Sequence, residues 1–126
     1  MSVTNNAVLF VFSNDGQNIV ELVPGPAATQ NTATRINNEL IRVLKSVSTG
    51  SLILPSILNG EANEVVTVVN ETAVTINVYP AVGEKTNGGL NTAFAVTTGL
   101  SAIFFPVLNS VNNYPSTLDW RCALIP

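Results

Sequence analysis

The stretch AVGEKTNGG, residues 81–89, brings together glycines, a lysine and a threonine, the residue types that cradle a phosphate. A P-loop needs G-x-x-x-x-G-K-[S/T] between a strand and a helix. Its backbone N–H groups then wrap the phosphates and the helix N-terminus faces them. Here Glu84 precedes Lys85 where the motif has glycine, and the upstream glycine is absent, since Val78 stands five residues before Gly83. The following LNTAFAVTTG alternates with period two and is no helix. The stretch reads instead as a turn, with Asn87-Gly88-Gly89 supplying positive φ and Glu84-Lys85 forming a solvated tip.

Other chemistry is equally constrained. Glu61, Glu64 and Glu71 fall near turns around one strand. A glycosidase pair would need them to converge in a cleft with aromatic sugar platforms, and the chain has one Trp and two Tyr. LNGEANE offers oxygen ligands for calcium but lacks the spaced Asp/Asn ladder, so its carboxylates read as solvated turn groups. There is no histidine, which removes Ser–His and Cys–His nucleophiles and the commonest zinc ligand. The single Cys122 sits in an apolar alternation and reads as a small core residue. No catalytic, cofactor or metal site is expected, and the chain is not expected to be an enzyme.

Composition sets the wider frame. The 126 residues suit one domain, which can bury roughly 65–70% of its unfolded surface. Charged residues make up only 10%, against about 25% in an ordinary globular chain. A surface so poor in charge suits a protein that hides much of its exterior against partners. The net charge is −3, and the five cations form no basic run, which argues against nucleic-acid binding. No apolar run approaches the ~20 residues of a membrane span, and MSVTNNAVLFVF does not read as a signal peptide.

The elements read as β almost throughout. Val8–Phe12 and Ile19–Val23 flank Asp15-Gly16 and suggest an N-terminal hairpin. PGPAATQNTAT, residues 24–34, reads as an extended connector or arm. Residues 36–47 fit a helix stripe or a strand face, and their β-branched content favours the strand. Short strands follow at 51–54, 64–69, 74–79, 94–97, 100–105 and 120–124. They are separated by turns rich in Asn, Gly and Thr, with Pro55, Pro80 and Pro106 each ending an apolar strand. Trp120 reads as a core anchor. The expected fold is all-β: a β-sandwich or jelly roll of about eight short strands over residues 29–126, with a hairpin and arm over 1–28.

The order of these features carries a resemblance. EVVTVVNETAVTINVYPAVGEKTNGGLNTAFAVTTGLSAIFFPV followed by DWRCALIP resembles a β-module of tailed-bacteriophage structural proteins. The matching positions are Val69-Asn70, Val78–Gly83, Asn87-Gly88 and Ser101–Phe104, within a span of roughly residues 29–125. Thr86 stands where that pattern usually has isoleucine, and LNSVNNYPST separates Phe105 from the last strand. The family includes capsid cement (decoration) proteins and parts of tail or fibre proteins. Fibre proteins carry the module as one piece of a long chain, whereas here it spans nearly all of the sequence. The resemblance therefore implies a cement protein of the outer capsid, made in the host cytoplasm, commonly trimeric, that clamps capsomers of the major capsid protein. A tail, baseplate or fibre-associated role is the alternative. The unmatched N-terminal segment is the expected capsid contact, through Val8, Phe10, Phe12, Ile19, Val23, Pro24 and Pro26, with one sandwich face for self-association. A sugar-binding module would instead expose Trp120, Tyr79 or Tyr114.

Overall fold

The computed structural model describes residues 19–46, 48–61, 64–107 and 118–125. Eleven strands form two sheets packed face to face, β1 (Ile19–Glu21), β2 (Thr34–Arg35), β3 (Leu40–Val43), β4 (Gly50–Ile53), β5 (Val66–Asn70), β6 (Ile76–Tyr79), β7 (Lys85–Thr86), β8 (Gly89–Leu90), β9 (Phe94–Val96), β10 (Ser101–Val107) and β11 (Asp119–Ile125). The only helical element among the described residues is a single 3-10 turn, Gln30–Thr32. The smaller sheet runs β9-β6-β4-β2 and the larger β1-β3-β5-β10-β11-β7-β8. The all-β sandwich expectation holds, and residues 40–43 are strand.

The winding is unlike a jelly roll, whose Greek keys pair strands antiparallel. Strands β1 to β6 go alternately to the larger and the smaller sheet, and each lies parallel to the next of its own sheet: β1 with β3, β3 with β5, β2 with β4, β4 with β6. Parallel neighbours require a long crossover. Here a strand of the opposite sheet serves as that crossover, so the first half of the chain forms a flattened coil. The second half closes it with antiparallel strands, β9 on β6, β10 on β5 and β11 on β10. Finally β7 returns parallel to β11, with β8 antiparallel beside it. Pro106 does not end its strand as expected. It sits inside β10 opposite Trp120, and the strand continues to Val107.

Alternation decides what is buried. Ile41, Val43, Val68, Ala102, Phe104 and Trp120 point inward from the larger sheet, and Leu52, Ile76, Val78 and Val96 from the smaller. Phe94 meets Phe104 edge to face across the core, with ring centroids 5.7 Å apart, a geometry that adds about 0.5–1.5 kcal/mol beyond area burial. Trp120 is fully buried, as expected of an anchor.

The last residue of β5, Asn70, is buried and fully hydrogen-bonded. Its Nδ2 donates to Val74 O (2.8 Å) and Val96 O (2.9 Å), and its Oδ1 accepts from Thr72 N (2.9 Å) and Thr72 Oγ1 (2.7 Å). One side chain thus ties the larger sheet to β9 of the smaller and shapes the connection between β5 and β6.

Residues 19–28, read from the sequence as hairpin and arm, are built into the sandwich. Leu22 N donates to Arg42 O, and Gly25 bridges Ser51 through a pair of backbone bonds of 2.8 and 3.3 Å. A Cβ on Gly25 would lie 2.0 Å from Thr32 O, so only glycine fits there. Val8, Phe10 and Phe12 lie outside the described residues.

Replacing Asn70 by alanine strips the Val96 carbonyl and the buried Thr72 N–H of the amide, while Val74 O keeps the Thr72 hydroxyl. We expect Asn70→Ala to lower stability by about 2–4 kcal/mol, read from the urea midpoint at unchanged slope. Asn70→Asp, which sets a carboxylate oxygen against two carbonyls, should cost at least as much.

Candidate functional site

The 81–89 stretch is a turn, as its residues suggest. β7 and β8 form a two-residue hairpin in which Lys85 pairs with Leu90 and Thr86 with Gly89. At its tip Asn87 and Gly88 both adopt positive φ, 47° and 85°, the geometry of the mirror-image turn that asparagine–glycine favours. Asp119 Oδ1 accepts from Gly88 N at 3.1 Å, and Asn87 exchanges hydrogen bonds with the backbone of Cys122. Asn87 and Gly88 are thus tied by hydrogen bonds to β11.

Glu84 corrects one expectation. It is buried, not a solvated tip. Its carboxylate accepts from Ser56 Oγ (2.7 Å), Ile57 N (2.9 Å) and Leu58 N (3.1 Å). It thereby caps the 56–60 turn and latches it to the 81–84 turn. A short acidic residue between glycine and lysine looks solvated in sequence, and only the fold brings the donors of Ser56–Leu58 onto it.

Glu61 and Glu64 share one cleft, whereas Glu71 lies apart and is paired with Arg42. Glu61 faces Arg35 at 3.4 Å on the surface and also accepts from Ser56 N. Glu71 is gripped by Arg42 through Nε (2.5 Å) and Nη2 (3.1 Å), and that hydrogen bond holds its carboxyl below the usual range. Glu64 lines an open cleft of about 310 Å³ together with Arg35, Glu39 and Glu61. Among the described residues no three acidic or cysteine side chains are grouped as a metal site.

Cys122 is half-buried against the core. Burial, reinforced by the Asp119 carboxylate and only partly offset by Arg121, pushes its thiol up to about 12.

The two outer faces of the sandwich differ. On the smaller sheet, Ser51 Oγ donates to Ala27 O and Tyr79 Oη donates to Ala28 O, both at 2.7 Å, while Gln30 Nε2 reaches Pro80 O at 2.8 Å. The chain's own residues 24–30 therefore cover that face, and Ser51 is wholly buried beneath them. On the larger sheet the register lines up Ile19, Leu40, Thr67, Ile103 and Ala123 in one row across five strands. Beside it run Glu21, Arg42, Val69, Ser101 and Ile125, and beyond Ile103 on the same strand stand Phe105, opposite Arg121, and Val107. Ile19, Phe105, Val107 and Ile125 are 47%, 45%, 41% and 39% exposed. These four exposed hydrophobics share the outer face of one sheet.

The other sequence-predicted contact residues scatter. Val23 is 69% exposed and Pro26 is exposed, whereas Pro24 is buried against Gly50. Only Ile19 belongs to the apolar face. Register across the strands assembles that face, and no local pattern in the sequence announces it.

No protein-family model matches this chain, and the comparison with curated proteins returns no match either.

Two measurements check these assignments. Glu84→Ala leaves buried donors without an acceptor and should cost about 1–3 kcal/mol per stranded donor, while the exposed Glu61→Ala should cost under about 1 kcal/mol; urea titrations of both variants decide. The Cys122 thiol, raised in the fold, should react with an aromatic disulfide at pH 8 roughly a thousandfold more slowly in the native chain than in urea, following its smaller thiolate fraction. The sign for stability follows from the same shift. The protonated thiol supports the fold below the unfolded thiol's pKa, and that support is lost as pH rises from about 9 toward 12.

Proposed function

We propose that this chain is a capsid cement (decoration) protein of a tailed bacteriophage. In this reading it sits on the outer capsid as a trimer and fastens neighbouring capsomers of the major capsid protein. The observation that supports it best is the outer face of the larger sheet, where Ile19, Phe105, Val107 and Ile125 stand exposed, on a chain with 10% charged residues. A protein working alone in solution gains nothing from such a face, while one that spends its life in an assembly buries it. The residues that carry the phage resemblance also have physical jobs in this fold. Asn70 clamps the two sheets, and Asn87-Gly88 makes the tight turn of the β7–β8 hairpin.

A tail, baseplate or fibre-associated role is the second reading, because the same module and the same face would serve it. The two differ in where the protein sits and in copy number. The sugar-binding reading loses Trp120, which is wholly inside the core, while Tyr79 is half-buried with its hydroxyl donating to Ala28 O. Tyr114 lies outside the described residues.

The test is immunogold labelling of intact phage particles that carry this chain. Label over the whole head is expected. Label confined to the tail or one vertex would replace cement by the second reading, and unlabelled particles would overturn both. Capsid binding by a chain lacking residues 1–18 then tests whether Val8, Phe10 and Phe12 hold the capsid. Truncation there spares the residues built into the sandwich, and undiminished binding would remove them from the contact.

A further inference from the structure

We infer that Asn59 is a site of spontaneous covalent modification, losing its amide through a succinimide formed with Gly60, and that the fold shields the chain's other Asn-Gly pair, Asn87-Gly88, from the same reaction. The inference is independent of the cement reading.

The chemistry needs an asparagine followed by a residue whose backbone can come close. The backbone nitrogen of that residue attacks the asparagine Cγ and its proton passes to a solvent base. The Cγ–Nδ2 bond breaks and ammonia leaves. Water then opens the ring at either carbonyl, giving aspartate or an isoaspartyl link, so water is the only co-reactant. Glycine lacks the Cβ that hinders the approach, and it reaches the backbone angles that ring closure requires. The sequence holds two such pairs, Asn59-Gly60 and Asn87-Gly88.

The two pairs share most of their setting. All four residues are exposed and stand in turns. Gly60 and Gly88 have similar positive φ, 74° and 85°. Each attacking N–H donates one hydrogen bond of 3.1 Å, Gly60 to Ile57 O and Gly88 to Asp119 Oδ1. The difference lies in the amide under attack. Lys85 N and Asn87 N donate to Leu118 O and Trp120 O, the rungs of the parallel ladder between β7 and β11. The chain then turns away, and the Asn87 side chain supplies the next rung. Its Oδ1 accepts from Cys122 N at 2.9 Å and its Nδ2 donates to Cys122 O at 3.2 Å. That carboxamide cannot rotate without giving up both bonds. Asn59 has no such hold. Its backbone N–H donates to Ser56 Oγ, and its carboxamide makes no hydrogen bond among the described residues.

Modification of Asn59 reaches beyond the turn itself. Asn59 lines a cleft of about 330 Å³ together with Arg35, Glu61 and Glu84. The new carboxylate enters beside two others, with Arg35 the one cation among the lining residues. An isoaspartyl link also lengthens the backbone of the 56–60 turn, whose Ile57 and Leu58 N–H groups hold the buried Glu84.

The experiment incubates the intact native chain at mildly alkaline pH and 37 °C, beside a sample unfolded in urea. Digestion after glutamate at acidic pH isolates Asn59 in residues 40–61, where it is the only asparagine. Mass spectrometry then follows the gain of one mass unit at each asparagine. In the native chain Asn59 should convert faster than Asn87 by roughly tenfold or more, because Asn87 must first open two hydrogen bonds. In urea the two rates should come together. Native Asn87 converting as fast as Asn59 overturns the inference. So does a rate ratio that urea leaves unchanged, since the difference would then lie in the neighbouring residues and not in the fold. Native Asn59 that stays intact while the urea sample converts overturns it as well.

Discussion

A single buried amide holds the two sheets in relation to each other. Asn70 ends a strand of the larger sheet, yet its Nδ2 donates to Val96 O on the edge strand of the smaller sheet and to Val74 O between them. Apolar packing between sheets is forgiving, because leucine and valine can slide past one another at little cost. Hydrogen bonds to fixed carbonyls are not forgiving, and a buried amide with all its groups satisfied admits only one arrangement. The stagger of β9 over β10, and with it the approach of Phe94 to Phe104, follows from that constraint.

The sequence made the character of the fold legible and left its wiring hidden. The runs read as strands at 64–69, 74–79 and 94–97 contain most of β5, β6 and β9, and Asn87-Gly88 marked a turn. Within 36–47, favoured as strand for its β-branched content, Leu40–Val43 is strand. What alternation does not encode is the direction of a neighbour: Ile41 looks the same beside a parallel Val68 as beside an antiparallel one. Hence the coil of β1 to β6 was invisible, and a Greek-key arrangement was as natural a guess. Glu84 failed for a related reason. Its donors lie at Ser56–Leu58, far away in sequence, and no local pattern announces a contact of that range. Pro106 misled because proline usually ends a strand, and here β10 runs on through it to Val107.

The same asymmetry governs the surface. Residues 24–30 hydrogen-bond over the smaller sheet, so that side of the sandwich is finished by the chain itself. The larger sheet keeps its apolar row outward. Both features follow from local chemistry. Gly25 alone permits the close approach to Thr32, and the β-branched residues that give strands their stiffness also make their outer faces apolar.

The coiled first half has a consequence for how the chain reaches this state. Each coil rests on the one before it, so as the polypeptide emerges from the ribosome the strands can stack in order, β3 on β1 and then β5 on β3. That stack ends with the far edge of β5 open, and the edge is not occupied until Ser101–Phe104 arrives. Contacts between residues so distant in sequence form slowly, and an open strand edge recruits any other strand within reach. During synthesis in a crowded cell the interval before β10 closes the sheet is therefore the vulnerable one. Chains that end before residue 101 leave that edge of β5 without its partner strand.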